Sequence, residues 1–98
     1  MKNITPTDFK ELLKKDDHFL LVDVREAWEH AAYNIGGMLI PLGELVSRRQ
    51  EIPQDLPVLL YCEKGIRSMI AIQRLEMLGY TNLYNLAGGM KAWKEQIT

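Results

Sequence analysis

The sequence predicts an α/β domain: a doubly wound, mainly parallel sheet of four to five short strands with helices on both faces. Two observations lead there. Short apolar runs at 19–24, 38–40, 58–61 and 83–86 alternate with segments of helical spacing. The run Phe19-Leu20-Leu21-Val22 is apolar on both alternating faces, as strands covered on both sides are. Such sheets bind ligands at the carboxyl ends of their strands. The turns 23–26, 62–67 and 87–89 should therefore gather along one edge.

Thr5-Pro6-Thr7-Asp8 opens the first helix. Thr5 can cap it, Pro6 suits a position whose N–H has no partner, and Asp8 sits at the positive end of the helix dipole. Phe9, Leu12 and Leu13 fall on one face, and Lys14-Lys15-Asp16-Asp17 ends the element. The first predicted strand, 19–24, stands out for the charges Asp23 and Arg25 at its end. Residues 26–32 form a short helix carrying Trp28, Asn34-Ile35-Gly36-Gly37 breaks it, and a brief strand runs to Pro41. The spacing of Leu42, Leu45 and Val46 predicts a helix over 42–49, followed by a loop punctuated by Pro53 and Pro57. After the strand 58–61 comes a helix over 66–78 with Ile66, Ile70, Leu75 and Leu78 facing the core, capped by Gly79. A strand at 83–86, the turn Ala87-Gly88-Gly89 and a helix over 90–96 close the chain. Trp28 and Trp93 read as packing residues, with Trp28 also able to wall a pocket at the strand edge.

Composition bounds the function. The 98 residues make one domain, 1–98, with a single core. A net charge of -1 offers no basic field for nucleic acid. No apolar run approaches the ~20 residues that cross a bilayer, so no membrane partner is expected. The start of the chain leads into Thr5-Pro6-Thr7-Asp8 rather than an apolar signal segment. With one cysteine there is no internal disulfide, which fits a reducing, cytoplasmic setting. A monomer or weak homodimer is expected. His18 and His30 lack metal-ligand spacing with Cys62, so no metal is expected.

The chemistry converges on Cys62-Glu63-Lys64-Gly65-Ile66-Arg67-Ser68. A lone cysteine in a small domain is by default an inert buried residue. Here, however, an apolar strand delivers it to a glycine-containing turn at the start of a helix. The unpaired N–H groups and positive dipole end of that helix stabilise an anion or a thiolate. Lys64 and Arg67 add cationic side chains, and Gly65 supplies the backbone freedom for a nest of inward N–H groups.

This loop resembles the active-site loop of single-domain rhodanese-like sulfurtransferases. Asp23-Val24-Arg25-Glu26 is similar to the family's first signature, and the stretch Tyr84-Asn85-Leu86-Ala87-Gly88-Gly89-Met90-Lys91-Ala92-Trp93 to its last. The resemblance runs in family order over nearly the whole chain. It implies a cysteine that takes a sulfane sulfur from thiosulfate or another persulfide donor and passes it to cyanide or a thiol, a protein thiol included. Cys62 is then the sulfur carrier. Glu63, Lys64, Gly65, Ile66 and Arg67 form the cradle, with backbone N–H groups turned toward the persulfide. Asp23 and Arg25 support the edge, as a structural pair or as turn-forming groups, and Ser68 bonds locally in the first helical turn. No cofactor is implied, since thiolate attack at sulfur follows the chemistry of thiol–disulfide exchange.

Related phosphatase domains on this fold have one more residue between cysteine and arginine. The four residues Glu63 to Ile66 make a smaller loop, which favours sulfur over phosphate. Two departures are visible. Tyr33-Asn34-Ile35-Gly36-Gly37-Met38 stands where many relatives carry Gly-His-Ile-x-Gly-Ala, and the acidic Glu63 lowers the positive potential of the loop. The second predicts that thiosulfate is a poorer donor than a neutral or protein-bound persulfide. A noncatalytic rhodanese-like binding or redox-sensing module and a small phosphatase stay open as alternatives.

Overall fold

The computed structural model describes residues 2–15 and 18–96. Strands β1 (Lys2–Ile4), β2 (Leu20–Asp23), β3 (Met38–Leu39), β4 (Val58–Tyr61) and β5 (Leu83–Leu86) alternate with helices α1 (Pro6–Lys14), α2 (Ala27–Ala32), α3 (Ile66–Glu76) and α4 (Gly89–Gln96). The strands pair in the order β1-β5-β4-β2-β3, every pair parallel. β4 lies at the centre with all four of its residues buried.

Successive side chains of β4 point to opposite faces of the sheet. Val58, Leu60 and Cys62 join Val22, Val24 and Leu83 under Ala71, Ile72 and Leu75 of α3. Leu59 and Tyr61 join Ile4, Phe9, Leu86 and Met90, with Leu12 and Trp93 packed against them. Thus α3 covers one face while α1 and α4 cover the other, which is the doubly wound arrangement. The chain steps outward from β2 to β3, then returns across β2 to β4 and on to β5. The order reverses between β2 and β4, so their carboxyl ends flank the crevice where such sheets bind ligands.

Capping follows the sequence at α1, where Thr5 Oγ1 accepts from the Asp8 N–H at 3.1 Å. In α2, Glu26 and Glu29 form a reciprocal capping box. Elsewhere the structure departs from expectation. β1 is a strand that no apolar run announced: Lys2 and Asn3 are exposed, and pairing with β5 makes it. The helix expected over 42–49 is instead a pair of 3-10 turns, Leu42–Glu44 and Arg49–Glu51. Gly43 weakens a helix there, and Leu45 reaches the core while Val46 stays 39% exposed.

The buried stripe of α3 is Ser68, Ala71, Ile72 and Leu75, spaced at i, i+3, i+4 and i+7. Ile66 and Leu78, expected in the core, are 60% and 47% exposed. Two small residues let the helix approach the sheet closely, and that rotates the larger apolar side chains outward. Trp28 is also exposed rather than packed, whereas Trp93 is half-buried beside Phe9. Asp16 and Asp17, in the polar run expected to end the first helix, lie outside the described residues. Among the described residues, no helix is long and apolar enough to cross a membrane.

Candidate active site

β4 carries the chain to Cys62, which is buried at the crevice between the ends of β2 and β4. The turn into α3 aims backbone donors at its sulfur. The Gly65 N–H donates to Sγ at 3.1 Å and the Ser68 N–H at 3.3 Å. Gly65 is the N-cap of α3 and adopts φ +89°, a left-handed conformation that side chains resist. Any Cβ on it would also stand 3.2 Å from the Gly88 backbone nitrogen.

The outside of the loop is gripped by α4. The Met90 N–H donates to the Cys62 carbonyl and the Lys91 N–H to the Glu63 carbonyl, both at 2.9 Å. Those carbonyls are thereby tied to α4, while the Gly65 and Ser68 N–H groups face the sulfur. α4 approaches so closely that a Cβ on Gly89 would lie 2.5 Å from the Cys62 oxygen.

Of the five residues expected to cradle the sulfur, Gly65 donates to Sγ. Glu63, Lys64, Ile66 and Arg67 line, with Cys62, a pocket of about 280 Å³. The second donor is Ser68, whose hydroxyl oxygen also sits 3.3 Å from Sγ. It therefore touches the sulfur itself, which the local bonding expected of it does not convey.

Arg67 reaches across to α2. Its two terminal nitrogens donate to the two Glu29 carboxylate oxygens at 2.7 and 2.9 Å. The hydrogen bonds from Arg67, with the backbone donor at Glu26 and the charges of Arg67 and Arg25 in support, hold the Glu29 carboxyl down at about 2 against the cost of its burial. Nothing in the sequence singles this carboxylate out, and it reads there as an ordinary residue of a short helix.

Asp23 and Arg25 form the structural pair expected at the end of β2. Both are buried, and Arg25 Nε and Nη2 donate to Asp23 Oδ1 and Oδ2, each at 2.9 Å. Arg25 Nη2 also donates to the Tyr33 carbonyl at 2.6 Å, and Nη1 lies 3.6 Å from Glu63 Oε1. The acidic charge on the loop thus faces a guanidinium. His30, which the sequence offers only as a polar residue without metal-ligand spacing, stands with Nδ1 2.9 Å from Asp23 Oδ2. Beneath the loop, burial foremost pushes the Tyr61 phenol up to about 12, and its hydroxyl donates to the Gly36 carbonyl at 2.8 Å. Among the described residues, no group of three or more His, Cys, Asp or Glu side chains is placed to hold a metal ion.

A cysteine at the carboxyl end of the central strand, set at the reversal point of a parallel sheet and faced by amides of the next helix, defines a class of α/β domains built around one thiol loop. Comparison with known proteins gives the family: the chain belongs to the rhodanese family, and the rhodanese-like domain model matches residues 5–96. The chain is 41% identical over 98 residues to YqhL of Bacillus subtilis, an uncharacterized protein, spanning 99% of this chain and 75% of that one. It is 35% identical over 94 residues to a protein of Allochromatium vinosum named sulfurtransferase, spanning 95% and 88% of the two chains. The structure superposes on the human single-domain sulfurtransferase TSTD1 with a TM-score of 0.86 at 28% identity, covering 98% and 97% of the chains. In some longer relatives the matching stretch is 25% of the protein.

Proposed function

We propose that the protein is a sulfurtransferase in which Cys62 carries a sulfane sulfur. The observation that carries this reading is the pair of N–H donors, Gly65 and Ser68, on a sulfur at the head of a small pocket. Such donors favour negative charge on sulfur and prepare a nucleophile. The Cys62 thiolate attacks the outer sulfur of a donor. One S–S bond forms as the donor's own S–S bond breaks, and sulfite departs from thiosulfate or a thiolate from a persulfide. An acceptor thiolate or cyanide then attacks the outer sulfur, and the electron pair of the broken bond returns to Sγ. Electrons balance without an external oxidant or reductant.

Two features support sulfur rather than phosphate. Four residues separate Cys62 from Arg67. In addition, both terminal nitrogens of Arg67 are engaged by Glu29, so they are not free to clamp a phosphate dianion. The exposed Ile66 at the pocket mouth suits a protein thiol as acceptor.

Intact-mass measurement after treatment with thiosulfate, or with a small-molecule persulfide, tests the reading. The expected result is the gain of one sulfur atom by the wild type and none by Cys62→Ser, with loss of that sulfur on adding cyanide or a thiol. No gain from either donor sinks the proposal and leaves the binding-module alternative.

A further inference from the structure

Asn85 of β5 is 3% exposed and lies between the active loop and the first strand. Its amide is oriented by the one neighbour that can play a single role, the Gly65 carbonyl. Asn85 Nδ2 lies 3.4 Å from the Gly65 carbonyl oxygen, which only accepts, and donates to Asn3 Oδ1 at 3.1 Å. Turning the amide over would set two oxygens against each other at Gly65. Asn85 Oδ1 therefore faces Ser68 Oγ, 2.5 Å away. An amide oxygen cannot donate, so the single hydroxyl proton of Ser68 lies on that bond. What Ser68 Oγ presents to Cys62 Sγ, 3.3 Å off, is a lone pair.

From this geometry we infer that Asn85 is a positioning residue for Cys62: by holding the Ser68 proton away from the sulfur, it restrains the fraction of Cys62 present as thiolate. A lone pair suits a thiol, whose S–H can donate to it, and it opposes the uncharged inner sulfur of a persulfide less than a charged sulfur. It opposes a thiolate. The Gly65 and Ser68 N–H groups act in the opposite sense, so the sulfur sits under two opposed influences and Asn85 sets one of them. On the sulfurtransferase reading, the arrangement favours the sulfur-loaded form over the free thiolate. Among the described residues, the ionisable groups around the loop include Arg67 with Glu29, Lys64, Glu63 beside Arg25, Asp23 with His30, and Tyr61 beneath it. Each is retained in the variants below.

The test is the rate of Cys62 alkylation by iodoacetamide, followed by mass between about pH 5 and 9, a range spanning the thiol's conversion to thiolate. Asn85→Leu keeps the bulk, removes the acceptor and leaves Sγ, 3.3 Å from Oγ, within reach of the Ser68 proton. Alkylation near pH 6 should then rise about tenfold, the order of effect of one hydrogen bond to a charged group, with the profile displaced to lower pH. In a Ser68→Ala background the same change should produce no such rise. Ser68→Ala alone should alkylate as fast as the wild type or faster. A tenfold slowing in Ser68→Ala means that Ser68 donates to the sulfur, and it overturns the inference. An unchanged profile in folded Asn85→Leu also overturns it. If Asn85→Leu does not fold, Ser68→Ala decides alone. Because alkylation needs no sulfur transfer, failure to load sulfur would remove the sulfurtransferase reading while leaving the role of Asn85 standing.

Discussion

Replacing Glu29 by Gln removes one half of the ion pair that joins α2 to α3. Glu29 is 12% exposed in its side chain and Arg67 36%. The Glu29 carboxyl stands at about 2 against an ordinary 4.5. At roughly 1.4 kcal/mol per pH unit, that difference corresponds to about 3 kcal/mol of linked stability. Solvent screening at the half-open Arg67 reduces it to about 1–2 kcal/mol. The sign follows from the lowered carboxyl. Its contribution is complete above the unfolded value of 4.5 and drains away as pH falls toward about 2. Urea denaturation of wild type and Glu29→Gln should therefore differ by about 1–2 kcal/mol at neutral pH. At about pH 3 the gap should shrink to less than about half of that value. A gap of the same size at both pH values would show that the loss comes from packing rather than from the ionised carboxylate. The same variant frees the Arg67 guanidinium beside the pocket, so anionic donors should load Cys62 faster than in the wild type.

Asp23→Asn leaves the Arg25 guanidinium buried without its carboxylate. Unfolding should become easier by about 3–5 kcal/mol in urea titrations, and a loss under about 1 kcal/mol would mean that the pair is spectator to the fold. Gly89→Ala combines φ +62° with a Cβ 2.5 Å from the Cys62 oxygen. Thermal melts should report a loss of about 3 kcal/mol or more, because neither the loop nor α4 can yield without breaking their shared hydrogen bonds. Gly43→Ala is the matching control: nothing lies within 4 Å of its Cβ, and a change beyond about 1 kcal/mol either way would contradict the steric account.

The parts of the molecule legible in the sequence are those written locally. The run 58–61, its cysteine and the glycine turn lie within a dozen residues, and the structure shows the strand, turn and helix they predict. The charges Asp23 and Arg25 stood out because they end an apolar run, and they pair as their two-residue spacing allows. What escaped depends on segments far apart in the chain. Glu29 meets Arg67 across 38 residues, and Asn85 meets Ser68 across 17. No periodicity or spacing encodes either meeting. β1 escaped because an edge strand supported by a neighbour needs no apolar run of its own. Leu75 lies on the core face of α3 as its spacing predicts, but Ile66 and Leu78 do not, because Ser68 and Ala71 set how closely the helix can lie on the sheet.

The pairing of β1 with β5 places Asn3 in hydrogen-bond contact with Asn85, and through Ser68 in line with Cys62. A residue near the beginning of the chain is therefore mechanically connected to its thiol. An affinity tag or fusion partner that tugged β1 from the sheet edge would release one of the acceptors that hold the Asn85 amide, far from any residue that looks catalytic. Reactivity measured on such a fusion reports on the tether as well as on the loop.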